Sequence, residues 1–164
     1  MTGKADFTDE EWTRLKRAPF VAGMAISLSD PGGPIEVVKE TAATVKTVVD
    51  AAERGGRGEF VGAIAAEVAA ETKARQNPLS DFKPKGALAG QEILEELTAV
   101  NGIVSAKASP EEAEAYRGWL KDAAQEAANA AKEGGFLGFH AVRVSEGEQR
   151  MLDKLGEALA SPQG

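Results

Sequence analysis

Apolar residues recur along this chain at helical rather than strand spacing. Ile35, Val38, Ala42, Val45, Val49 and Ala52 alternate steps of three and four, a heptad-like seam. Phe60, Ile64 and Val68 share one helical face, as do Ile93, Leu97, Val100 and Val104, and again Leu152, Leu155 and Leu159. Tyr116, Leu120, Ala123, Ala127 and Ala130 form a seam that is nearly all alanine. The pattern predicts six main helices: Asp9 to Ser29, Pro34 to Arg54, Glu59 to Gln76, Ala87 to Ala106, Pro110 to Glu133 and Glu146 to Ala160. Only Phe136 to Val144 reads as a candidate extended segment, so the expected class is all-α, a bundle of five to seven helices.

The residues between these runs are helix punctuation. Thr8 with Glu11, Ser109 with Glu112 and Ser145 with Glu148 fit the capping box, in which a hydroxyl and a Glu satisfy each other's free backbone N–H groups. Pro110 suits the first helical position. Gly55-Gly56 and Gly134-Gly135 suit helix C-caps, and Pro31-Gly32-Gly33-Pro34 forces a turn. Pro19 lies inside the first helix and is expected to break or bend it, because proline removes a backbone donor. Asn77-Pro78 should end the third helix, with a loop from Leu79 to Gly86. Asn101-Gly102 falls within the fourth, where Asn101 could fix helix register.

Composition narrows the picture. At 164 residues, 43% apolar and 27% charged, the chain suits one domain over 1–164, with 1–7 and 161–164 loose. Aromatics are only 5%, so close packing of small side chains is expected rather than a core built on large rings. The net charge of −7 disfavours nucleic acid and anionic membrane as partners. The apolar stretch from Ala18 to Leu28 is too short to span a bilayer and lacks a signal-peptide layout. The chain has no cysteine, which agrees with a reducing cytoplasm and removes thiol nucleophiles, Cys-ligated metals and disulfides.

With a single histidine, His140, two-histidine metal motifs are also out of reach. No catalytic set is readable, and no cofactor is expected. His140, among apolar neighbours, reads either as a satisfied turn residue or as a lone acid–base group. Glu36/Glu40, Glu67/Glu71 and Glu92/Glu96 stand at i and i+4. Such pairs read as solvated faces; brought together from different helices, Glu36, Glu40, Glu67 and Glu71 could instead hold a divalent cation. Arg54 and Arg57 flank Gly55-Gly56, a helix–helix loop whose N–H groups could meet a phosphate.

The pieces Trp12…Leu15…Ala18-Pro19…Asp30-Pro31, Lys132-Glu133-Gly134-Gly135-Phe136 and Val144-Ser145-Glu146…Leu152…Leu155 resemble uncharacterised bacterial all-helical proteins. The last piece also resembles a helix of the tellurite-resistance TerB-type bundle. That resemblance implies an all-α fold and cation affinity through paired acidic residues. The family's Asp-Gly followed by a Glu pair is absent; Asp30-Pro31-Gly32-Gly33 is a distorted counterpart.

The leading expectation is a non-enzymatic cytoplasmic module that binds a protein partner or itself. The alternative is a metal or small-ligand binder, and a third reading is an enzyme using His140 with a carboxylate. Self-association as a two-fold dimer is expected to use Trp12, Phe20, Met24 and Leu28, whose apolar run demands a cover.

Overall fold

The first long helix, α1, spans Asp9–Ser29 and carries the capping box expected at its start. The Thr8 N–H donates to Glu11 Oε2 at 2.8 Å, and the Glu11 N–H donates to Thr8 Oγ1 at 3.1 Å. Its apolar face sinks completely: Leu15, Ala18, Val21, Ala22 and Ala25 have no exposed surface. This computed structural model of the chain describes residues 2–29, 48–50, 52–53, 58–76, 82, 89–133 and 146–160. Within them the remaining helices are α2 (Gly58–Lys73), α3 (Ala89–Lys107), α4 (Pro110–Glu133) and α5 (Glu146–Ala158), with a 3-10 turn at Lys4–Asp6. The architecture is an all-α bundle, and no strand occurs among the described residues.

Helix α1 lies at the centre of this bundle. Its contact with α4 is the most extensive between described helices, followed by its contact with α3. The seams of the helix over Pro34 to Arg54 and of the helix now called α4 are the longest in the sequence, which predicts these two as the central pair. The second of these is central as expected. Most of the first lies outside the described residues, though Val48 and Ala52 are buried in helical turns. The candidate extended segment at 136–144 also lies outside them.

The seams read from periodicity form the core. Phe60, Ile64 and Val68 of α2, Ile93, Leu97, Val100 and Val104 of α3, and Tyr116, Leu120 and Ala123 of α4 are all buried, joined by Leu155 and Leu159. Each fully buried aliphatic side chain of this kind contributes roughly 1.5–3 kcal/mol. The expectation of a core without large rings is corrected. The chain has six Phe, two Trp and one Tyr. Five of these rings, Phe7, Trp12, Phe60, Tyr116 and Trp119, form one contact chain with centroids 5.7–6.4 Å apart. Few aromatics are present, but they are gathered in one place, where ring pairs add to simple burial.

Two further expectations change. Residues 2–7, expected to be loose, are tied down: Thr2 bonds Glu112, Lys4 pairs with Glu67 at 2.8 Å, and Phe7 is buried among the rings. Helix α2 stops before Asn77-Pro78. Arg75 takes φ 62°, the left-handed cap position usually given to glycine. The Arg75 N–H then donates to the Thr72 carbonyl at 2.9 Å and the Gln76 N–H to the Glu71 carbonyl at 3.0 Å, a Schellman closure.

Among the described residues no helix is long and apolar enough to cross a membrane.

Candidate functional site

Pro19 neither breaks α1 nor ends it. Proline has no N–H, so the carbonyl four residues earlier, that of Leu15, loses its helical donor. That carbonyl is buried, where an unsatisfied acceptor is costly. Tyr116 of α4 supplies the missing donor: its hydroxyl bonds the Leu15 carbonyl at 2.8 Å. The tyrosine side chain thus completes the backbone of another helix. Burial pushes the Tyr116 hydroxyl well above its ordinary pKa, and the nearby Glu96 charge adds to this. The phenol stays protonated and remains a donor.

Around this joint α1 presents three cations to carboxylates on its neighbours. Arg14 donates Nε and Nη2 to the two oxygens of Glu96 at 3.0 and 2.8 Å, a bidentate clamp. Arg17 Nη2 reaches Glu96 Oε1 at 2.9 Å, and its guanidinium lies 5.2 Å from the centre of the Phe82 ring. Burial pushes the Glu96 carboxyl up, but the hydrogen bonds and charges of Arg14 and Arg17 outweigh it and hold the group below the usual carboxylate range.

Glu67 and Glu71, candidates for a cation site, face lysines. Lys16 Nζ contacts both, at 3.3 Å from Glu67. Glu67 also accepts from Lys4 Nζ and from Trp12 Nε1, each at 2.8 Å. Burial pushes Glu67 up, yet the hydrogen bonds of Lys4 and Trp12 and the charge of Lys16 hold it below the ordinary value. The pair acts together, but as the acidic half of an interhelical latch rather than a solvated face. Among the described residues no group of three or more metal-ligating side chains converges. Glu36, Glu40, Arg54, Arg57 and His140 lie outside the described residues.

The proposed dimer patch is also redrawn. Trp12 is 2% exposed and Phe20 5%, covered within one chain, and Met24 is half-buried against the same core. Their apolar run is explained by α1's central position. The side chain of Leu28 lies outside the described set.

Asn101 is buried and bonds the end of another helix. Its Nδ2 donates to the carbonyls of Ala158 and Ala160 at 3.2 and 2.9 Å, capping the free carbonyl end of α5. Trp119 Nε1 similarly donates to the Val48 carbonyl at 2.8 Å.

One surface stands apart from this paired interior. The outward face of α2 carries Glu59, Gly62, Ala63, Ala66, Ala70 and Lys73, all exposed, with the half-buried Ala69 beside them. At 100° per residue these seven lie within about 60° of the Ala66 direction. Between Glu59 and Lys73 the face holds only glycine and alanine, and a Cβ added at Gly62 would meet nothing within 4 Å. The periodicity of large apolar residues does not reveal this face. The signal was the small-residue run itself, Gly62, Ala63, Ala66, Ala69 and Ala70, opposite the Phe60–Ile64–Val68 seam.

No family model, curated protein or solved structure matches the chain.

Proposed function

We propose that this chain is a self-associating helical module whose docking surface is the outer face of α2. The observation that carries the reading is the layout of that face about Ala66. Glu59 and Lys73 stand equally far along the helix on opposite sides of it. If two copies of α2 lie antiparallel across a two-fold axis at Ala66, Glu59 of each copy meets Lys73 of the other. Gly62 then faces Ala70. The face is complementary to itself, as a two-fold interface must be.

The physical drive is modest and specific. Glycine and alanine let the two helices pack within the usual range of about 8–10 Å between axes. The flanking charges contribute little energy at a surface but select the antiparallel arrangement. A single helix pair of this size falls below the ~1,000 Å² of a durable interface. Association is therefore weak, and concentration controls it.

Sedimentation equilibrium across a concentration series tests this. The weight-average mass should climb from 17.1 kDa toward twice that value. Ala66→Glu should hold the protein at the monomer mass, because two carboxylates would meet on the axis, while helicity stays unchanged. A mass independent of concentration up to the millimolar range would reject self-association. If Ala66→Glu instead abolished capture of a different protein, the face would belong to a heterologous partner.

A further inference from the structure

We propose that Arg117 is the recognition group of a binding site for a small oxyanion, a carboxylate or a phosphate. Arg117 sits on α4 at the border of its buried face. Ala113, Leu120 and Ala124 lie on the core side and the exposed Glu114 and Lys121 on the other. Its side chain is only 5% exposed. Two of its three nitrogens, Nε and Nη1, are buried without any hydrogen-bond partner. The Glu114 carboxylate comes within 3.5 Å of Nε but does not complete a hydrogen bond, and it remains 68% exposed.

A guanidinium cannot escape this situation by losing its proton. Lysine or histidine would neutralise on burial; arginine keeps its charge and its donors. Elsewhere in the described structure the half-buried cations each meet a carboxylate on a neighbouring helix: Arg14 and Arg17 take Glu96, with Arg17 Nε alone left unbonded, and Lys16 takes Glu67 and Glu71. Among the described residues Arg117 has instead one charged neighbour, the mostly solvated Glu114 on its own helix. Buried donors in folded proteins are nearly always satisfied, and an unanswered one points to a bound ion or water. A full positive charge favours the ion. Ala113, one turn earlier on the same arc, is small and adds no competing polar group. Glu114 stands at the outer edge, where its charge opposes an incoming anion and limits affinity.

The test is thermal denaturation in an anion-poor zwitterionic buffer, titrated with inorganic phosphate or sodium acetate against sodium chloride at matched ionic strength. The native protein should gain about 5–10 °C in Tm once phosphate or acetate exceeds its Kd a hundredfold. Which salt acts at lower concentration identifies the anion class. Arg117→Met should abolish the gain, leaving a Tm in plain buffer at or above that of the unsubstituted protein. Glu114→Gln should move the midpoint to lower anion concentration. No anion-dependent rise would overturn the proposal. So would a rise that survives Arg117→Met. A large fall of Tm in Arg117→Met without anion dependence would show that the chain itself supplies the acceptor, which also overturns it. None of these outcomes depends on the α2 surface.

Discussion

The seam along α1 and the outer face of α2 handle polar groups in opposite ways. In the seam, cations and carboxylates come from different helices and meet. Arg14 and Arg17 take Glu96, Lys16 takes Glu67 and Glu71, and Tyr116 mends the backbone gap left by Pro19. On the α2 face no polar side chain stands between Glu59 and Lys73, although the surface is open to water. Helix α3 shows the ordinary alternative, with Gln91, Glu92, Glu95 and Thr98 on its exposed side. A chain that is 27% charged can easily cover a helix. A face bare of charge between Glu59 and Lys73 can approach another helix closely. On the proposed reading the seam governs stability and the α2 face governs association, so the two should be separable by mutation.

The largest effect is expected at Glu96. Glu96→Gln leaves two half-buried guanidinium groups without their counter-charge. Breaking a fully buried pair costs 3–5 kcal/mol, and partial solvation reduces this to about 2–3 kcal/mol here. Urea denaturation should show that loss, with the sedimentation behaviour of the folded protein unchanged. A change in oligomeric mass would join what the comparison separates.

Tyr116→Phe comes next, at about 1–2 kcal/mol, because it strands the buried Leu15 carbonyl. The partner variant Pro19→Ala restores an N–H to that carbonyl. In its background Tyr116→Phe should cost distinctly less, and a double-mutant cycle measures the difference. Equal costs in both backgrounds would mean that Tyr116 does not act through the proline gap.

This joint also marks how far the sequence could be read. Helix α1 was legible to its ends, Asp9 and Ser29, because periodicity and the Thr8–Glu11 cap are local signals. The Ser109–Glu112 cap and the α3 face were legible for the same reason. The fate of Pro19 was not, since its rescuer lies on another helix, 101 residues beyond Leu15. The same limit hid the lysine partners of Glu67 and Glu71, which read as a solvated or metal-binding pair until α1 was placed beside them. The apolar run at Phe20 looked like an interface because nothing local announced α1's central position. The α4 seam is legible because Tyr116 and Leu120 anchor its alanines, whereas the small face of α2 is masked by the larger residues on its opposite side.

Acid should weaken a third contact in the interior group. Glu112 accepts from Ser109 N–H at 3.0 Å and from the Thr2 N–H and hydroxyl. The Thr2 hydroxyl above all, with the backbone donors, lowers its pKa to about 2. A lowered folded-state value means stability that is present above the ordinary carboxylate pKa near 4.5 and is lost as pH falls toward about 2. Glu112→Gln should therefore cost about 1 kcal/mol at neutral pH, as the loss of a helix cap does. The cost should shrink across that acid window. A difference that stays constant with pH would refute the capping role.

The smallest effect is a gain. Arg75→Gly relieves the left-handed backbone at the end of α2 and should stabilise the protein by about 0.5–1 kcal/mol. It should not alter self-association, because residue 75 lies beyond the Glu59–Lys73 face.

Two copies of α2 are proposed to meet at Ala66, and the absence of cysteine makes that contact directly measurable. Ala66→Cys introduces the only thiol, placed on the expected two-fold axis. A disulfide requires Cα atoms roughly 4.4–6.8 Å apart, which antiparallel α2 helices in close contact at this position provide. Under mild oxidation, non-reducing electrophoresis of Ala66→Cys should show rapid and nearly complete conversion to a covalent dimer. Glu95→Cys, on the charged face of α3, should remain monomeric under the same conditions. Equal, slow cross-linking of the two variants would contradict the central claim.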